Sequence, residues 1–211
     1  MKALYSILVL FLIVSCSSSR VVDSWKSQDY ANYKPKKVLI VGMTDNLTAR
    51  KQFEEQLQTE FNKSGIEAMG SYDVFEPSFS NIKQTEASIN QELERLSKDG
   101  YDSILISAVK GVNEKEVYSS PTYRTGYYWR RFGRYYYLYQ DVYFDDGYYN
   151  RYKVYHIEAS LYNIKENNDK SLVWVASYDI VDPKQINTTV TNYVKAIMQS
   201  LNQEGIINIK K

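Results

Sequence analysis

The sequence predicts one α/β domain on a mixed sheet of about five or six strands with three helices, ordered β-α-β-α-β-β-β-α. Three observations predict it. Val38-Leu39-Ile40-Val41-Gly42 and Asp102–Val109 are nearly continuous apolar runs, the pattern of strands buried on both faces. Stretches with apolar residues every three or four positions separate such runs and imply crossover helices. Two later segments alternate apolar and polar residues, which suits an antiparallel pair with one wetter face.

The elements follow in chain order. After the Val38 run, Thr44-Asp45-Asn46 offers helix caps, and Ala49, Phe53, Leu57 and Phe61 mark one apolar face. Arg50, Lys51, Glu54, Glu55 and Glu60 are placed off that face, and Gly65 ends the helix. Ile66–Met69 reads as a short strand, followed by a loop from Ser71 through Pro77. Asn81-x-x-Gln84 has the form of a capping box before a helix carrying Ile82, Ile89, Leu93 and Leu96 and closing near Gly100. The Asp102–Val109 strand comes next.

Between Tyr118 and Tyr155 lie 13 of the 21 tyrosines, interleaved with Arg124, Arg130, Arg131 and Arg134. Ser119–Gly133 contains Pro121, Gly126 and Gly133 and reads as a long loop. Tyr135–Phe144 has strand propensity, with Asp145-Asp146-Gly147 as a turn back into Tyr152–Leu161. Tyr155, Ile157, Ala159 and Leu161 then alternate with His156, Glu158 and Ser160. Asn167-Asn168-Asp169 supplies a hairpin turn into Leu172, Trp174, Ala176, Tyr178 and Ile180. Asp182-Pro183 is expected to open a last helix with the stripe Ile186, Val190, Val194, Ile197 and Leu201. Gly205 closes it, and Ile206–Ile209 is either a terminal strand or a docked tail.

The amino terminus reads as a processing signal. Ala3–Val14 is almost wholly apolar and too short for the roughly 20 residues of a spanning helix. Ile13-Val14-Ser15-Cys16 closes the run with the sole cysteine of the chain. An aliphatic residue shortly before Ser-Cys resembles the lipobox of bacterial lipoproteins. That resemblance implies cleavage before Cys16, diacylglycerol on its sulfur and an acyl chain on its amine. Residues 1–15 are then the signal, 16–36 the lipidated cysteine and a tether, and 37–211 the α/β domain with a tyrosine-rich insertion at 118–152. Within the tether, Trp25 and Tyr33 either stay free or pack back on the domain edge. Ser17 after the cysteine, and the lack of an acidic export signal, favour the periplasmic face of the outer membrane.

Lys2 departs with the signal, so one fewer than the 26 basic side chains faces the 25 acidic ones. A mature side-chain charge of zero gives no pull toward nucleic acid. With no second cysteine, no intramolecular disulfide is available in the oxidising envelope, and packing alone must hold the fold.

The lipobox, the Lys37–Gly42 strand, Arg50-x-x-Phe53-Glu54, Gly65–Tyr72 and Leu172-Val173-Trp174 ahead of Asp182-Pro183 together resemble an uncharacterised bacterial lipoprotein family. That family is similar in fold to the TolB amino-terminal domain, from the Tol system's periplasmic β-propeller protein, and to the curli-secretion lipoprotein. The resemblance covers most of residues 24–205 outside the insertion. It implies a partner-binding protein of the envelope, without catalysis.

The residues themselves offer little chemistry. His156 is the sole histidine, and no Gly-x-Ser-x-Gly elbow, Walker loop or Gly-x-Gly-x-x-Gly is present. With the thiol lipidated, only carboxylates such as Asp141, Asp145 and Asp146 remain for a hard cation, at spacings unlike an EF-hand. The reading is therefore no enzyme, no metal and no cofactor beyond the covalent lipid on Cys16. Its rivals are an envelope hydrolase using a site near His156 and a purely structural lipoprotein. Tyrosine and arginine give binding surfaces large rigid contacts with polar tips. Tyr127, Tyr128, Trp129, Arg130, Arg131, Tyr135 and Tyr137 are accordingly the expected docking residues for an envelope protein, peptidoglycan or lipopolysaccharide.

Overall fold

The structure is a computed structural model and describes residues 19–80, 82–114, 131–139, 153–166, 171–181, 183 and 185–209. Six strands form one sheet: β1 Ser19–Lys26, β2 Lys37–Met43, β3 Glu67–Gly70, β4 Ser103–Glu114, β5 Lys153–Asn163 and β6 Leu172–Val181. Among the described residues six α-helices accompany it, besides a 3-10 turn at Gln28–Tyr30: α1 Leu47–Lys63, α2 Ser71–Val74, α3 Pro77–Ser80, α4 Glu86–Lys98, α5 Phe132–Tyr139 and α6 Ile186–Gln203. The sheet order is β1-β6-β5-β4-β2-β3. β2 runs parallel to β3 and β4, and the other pairs are antiparallel. The α/β class and the mixed sheet are as the sequence predicts.

Both faces of the sheet are covered, which is why β2 is apolar throughout. Val38 and Ile40 point to a core shared with Phe53, Leu57 and Phe61 of α1 and with Val194, Ile197 and Leu201 of α6. Leu39 and Val41 point to the opposite core, with Ile89, Leu93 and Leu96 of α4 and Phe132, Tyr135 and Tyr136 of α5. Trp174 is wholly buried on the α1/α6 side. Asn46 caps α1 as expected, accepting from the Ala49 N–H at 2.9 Å.

Several expectations need correction, and two open alternatives, the packing of Trp25 and Tyr33 and the docking of the tail, are decided. Residues 19–26, read as tether, form the edge strand β1 against β6, and Trp25 and Tyr33 both pack on the domain. The α4 cap is a Thr85/Ser88 box; Asn81 lies outside the described residues, and Gln84 instead donates to the Phe79 carbonyl at 2.9 Å. The last helix starts at Ile186 behind Gln185, beyond Pro183, without a side-chain cap. The tail is docked: Ile206 and Ile207 are buried, and the Ile206 N–H reaches the Leu201 carbonyl at 2.9 Å. Phe132–Tyr139, expected as loop running into strand, is helix. Two of the three added helices, α2 and α3, are single turns within the expected Ser71–Pro77 loop and just after it.

Buried phenols give the fold an alkaline limit. Burial, aided by a hydrogen bond to Glu166, pushes Tyr30 up to about 12. Burial raises Tyr33, Tyr178 and Tyr193 as well. The folded state thus holds neutral phenols that the unfolded chain ionises near pH ~10. Their contribution is complete below that pH and is lost as pH rises through the folded values. Melting temperature is expected to stay level up to about pH 9.5 and fall steeply above about 10.5. A level profile to about pH 12 would contradict this.

Candidate functional site

Three polar features stand out from the apolar framework. The first is buried where β2 and β3 end. Parallel strands leave backbone N–H groups free at such ends, and these need acceptors. Glu54, only 1% exposed on the sheet side of α1, supplies them. Its Oε1 accepts from the Gly42 N–H at 2.9 Å and from the Ser71 hydroxyl at 2.7 Å, and its Oε2 accepts from the Tyr72 N–H at 2.8 Å. Arg50, one turn earlier, donates from Nε to Glu54 at 3.1 Å and from Nη2 to Ser71 at 2.9 Å. A side chain at Gly70 would bring a Cβ within 3.1 Å of both Glu54 Cβ and Oε2, so a glycine there admits the carboxylate. The network ties α1 to two strand ends. It is sealed, and it binds structure rather than a ligand.

The second feature lies on the α4/α5 face of β4, β5 and β6. His156 and Asp179 are cross-strand partners, and His156 Nδ1–H donates to Asp179 Oδ1 at 2.6 Å. One step along, Lys110 pairs with Glu158 at 3.4 Å, its ammonium lying 5.5 Å from the centre of the Tyr135 ring. A carboxylate-held imidazole is a familiar element of hydrolases. Here, however, His156 Nε2 is covered, and a general base must reach the proton that it takes. A cavity of about 330 Å³ lies elsewhere, lined by Leu93, Phe132, Ile164 and Ser171 among others and not by His156.

The third feature is what can be described of the tyrosine-rich stretch. Tyr127, Tyr128, Trp129 and Arg130 lie outside the described residues, as do Cys16 and Asp141, Asp145 and Asp146. Arg131 and Tyr137 are exposed. Tyr135 is 2% exposed and belongs to the core, which removes its ring from any surface offered to a partner. It packs with Tyr162 at 5.9 Å between ring centres, and Phe132 meets the same ring edge-on at 5.8 Å. Tyr136 contacts Phe79 at 6.0 Å. At Gly133 α5 comes close to α4: an added Cβ would come within 2.7 Å of Asn90 Oδ1. Arg134 stays on the outer side, 3.7 Å from Glu86.

No family model matches the chain, and no curated protein does. Among solved structures it is similar to the PelC dodecamer from Paraburkholderia phytofirmans, at 12% identity over 87% of this chain and 96% of that one, with a TM-score of 0.46. It is also similar to the lipoprotein GNA1162 from Neisseria meningitidis, at 13% identity over 80% of this chain and 99% of that one, with a TM-score of 0.40. Likenesses of this depth assign no role to the chain.

Of the expected contact residues, then, the structure describes Arg131, Tyr135 and Tyr137 and leaves two of them at the surface. Sequence reasoning missed the Glu54 network. The apolar stripe leaves Arg50 and Glu54 off the Ala49–Phe61 face of α1, although their spacing from Phe53 and Leu57 puts all four on neighbouring turns of one face. Among the described residues no group of His, Cys, Asp or Glu is arranged to hold a metal, and no helix is long and apolar enough to cross a membrane.

Proposed function

We propose that the chain is a lipid-anchored lipoprotein of the bacterial envelope, held on the periplasmic face of the outer membrane by diacylglycerol and an acyl chain on Cys16. It acts there without catalysis, as a binding or assembly component. The observation that carries this reading is the sole cysteine closing an apolar amino-terminal run. Two or three acyl chains on one residue hold a protein stably at a bilayer, where a single chain does not. The docking surface is assigned to Tyr127, Tyr128, Trp129, Arg130, Arg131 and Tyr137, facing an envelope protein, peptidoglycan or lipopolysaccharide. Exposed Arg131 and Tyr137 border that run and support it.

Cys16→Ser is the direct test. The variant is expected to leave the membrane fraction almost completely and to run without the mass of the lipid, while the parent stays in the membrane. An equal distribution of the two would sink the reading. The docking assignment has its own test, replacement of Trp129, Arg130 and Arg131 together by alanine. Capture of the envelope partner by crosslinking is expected to be lost with melting temperature nearly unchanged. A matching loss of stability would place those residues in the core.

A further inference from the structure

Of the nine exposed large apolar side chains among the described residues, strand register and chain order place five at one end of the sheet. Ser19 lies opposite Ile180, Ile180 opposite Tyr155, and Tyr155 opposite Val112, so these four share one level at the top of the sheet. Val21, 42% exposed, and Val22, 57% exposed, follow immediately on the edge strand, and Val112 is exposed beside the top of β5. Leu47, the first residue of α1, is 72% exposed, and it follows β2 as that strand ends in the same direction. Ile186, the first residue of α6, stands just beyond the end of β6 and is also exposed.

The opposite end is of another kind. There the chain presents Lys34, Lys36, Lys98, Asp99, Lys165 and Glu166, all exposed. Single exposed aliphatic residues need no explanation. Five at one pole, facing charges at the other, do.

What lies nearest the apolar pole is the amino terminus of β1. Cys16 precedes Ser19 by three residues, and an extended chain spans at most about 3.6 Å per residue, so the chain cannot carry Cys16 more than roughly 11 Å, Cα to Cα, from the first strand residue. A tether from 16 to 36 would have let the domain stand off the bilayer in any orientation. With β1 built into the sheet, that freedom is gone.

We infer that the domain lies on the lipid surface by this pole, with Val21, Val22, Leu47, Val112 and Ile186 touching the headgroup layer around the anchor. The inference rests on the lipidation of Cys16 proposed above. Asp23 and Asp45 share the pole and are exposed, so contact stops at headgroup depth, where carboxylates remain hydrated. The charged pole, with the Lys98 end of α4 and the Asn163 end of β5, faces away from the membrane.

The test uses the lipidated full chain. The lipid occupies the only native thiol, so a cysteine introduced by Val22→Cys, Leu47→Cys, Ile186→Cys or Lys98→Cys takes a fluorophore alone. Each labelled protein is bound to vesicles of phosphatidylethanolamine and phosphatidylglycerol after its mass confirms the lipid on Cys16. Nitroxide carried on the lipid is expected to quench the first three labels about twofold or more beyond Lys98→Cys, with iodide in solution showing the reverse order. Lipidated protein in which iodide reaches all four labels equally overturns the orientation alone. Labels shielded from iodide yet untouched by lipid nitroxide also overturn it, because protein then covers the pole. Absence of lipid on Cys16 overturns the anchoring, and the orientation falls with it.

Discussion

Replacing Glu54 with alanine is expected to cost about 3–5 kcal/mol, enough to consume much of the stability of a domain this size. The carboxylate accepts hydrogen bonds from two backbone N–H groups, one hydroxyl and one guanidinium, and Glu54 itself is almost fully buried. Alanine takes from the buried Arg50 its carboxylate partner, and takes from the Gly42 and Tyr72 N–H groups the acceptor they had. Each buried donor left unpaired costs about 1–3 kcal/mol on its own. Arg50→Met removes a charge but leaves Glu54 its three other donors, so its cost should be clearly smaller. Glu54→Gln keeps the shape and one acceptor and should fall between. Urea midpoints measured on the three variants give the order directly. Arg50→Met proving the most damaging would mean that the ion pair, rather than the strand ends, is what Glu54 serves.

The same residues show what a sequence can and cannot disclose. The doubly covered strands were legible because burial on both faces forces continuous apolar runs, as at Val38–Val41. The hairpin of β5 and β6 was legible because one face there is only half buried. Glu54 was not, since its place on the buried face follows from donors at the ends of β2 and β3, which only the packed sheet brings to it. Nor was β1, whose Ser-Arg-Val-Val-Asp-Ser-Trp-Lys has the polarity of a linker. An edge strand has one neighbour and no need of a continuous apolar pattern, and its partner lies about 150 residues away in sequence. The missed caps have a similar cause. Asn81-x-x-Gln84 and Asp182-Pro183 both carry start chemistry, yet each helix begins three or more residues later, closer to its first buried residue, Ile89 or Val190.

Tyr135→Ala is expected to destabilise the domain by about 3–5 kcal/mol, while Tyr137→Ala should change stability by no more than about 0.5 kcal/mol. Two residues apart on α5, they stand at 2% and 44% exposure. The first fills the space between the Tyr162 ring and the Lys110 ammonium, and its loss opens a cavity that the flanking sheet cannot close. The second stands open to solvent on the outer side, with the Arg134 guanidinium 5.9 Å from its ring centre. Composition hid the difference. Phe132, Tyr135, Tyr136 and Tyr139 fall at the three- and four-residue spacings of a helix, but tyrosine at 137 and the surrounding aromatics blur that stripe into strand propensity. Chemical denaturation of both variants decides the assignment, and crosslinking decides the role. Tyr137→Ala should lower partner capture in a protein as stable as the parent. Equal destabilisation by both substitutions would show that α5 buries its outer side as well, leaving the docking surface to residues before Phe132.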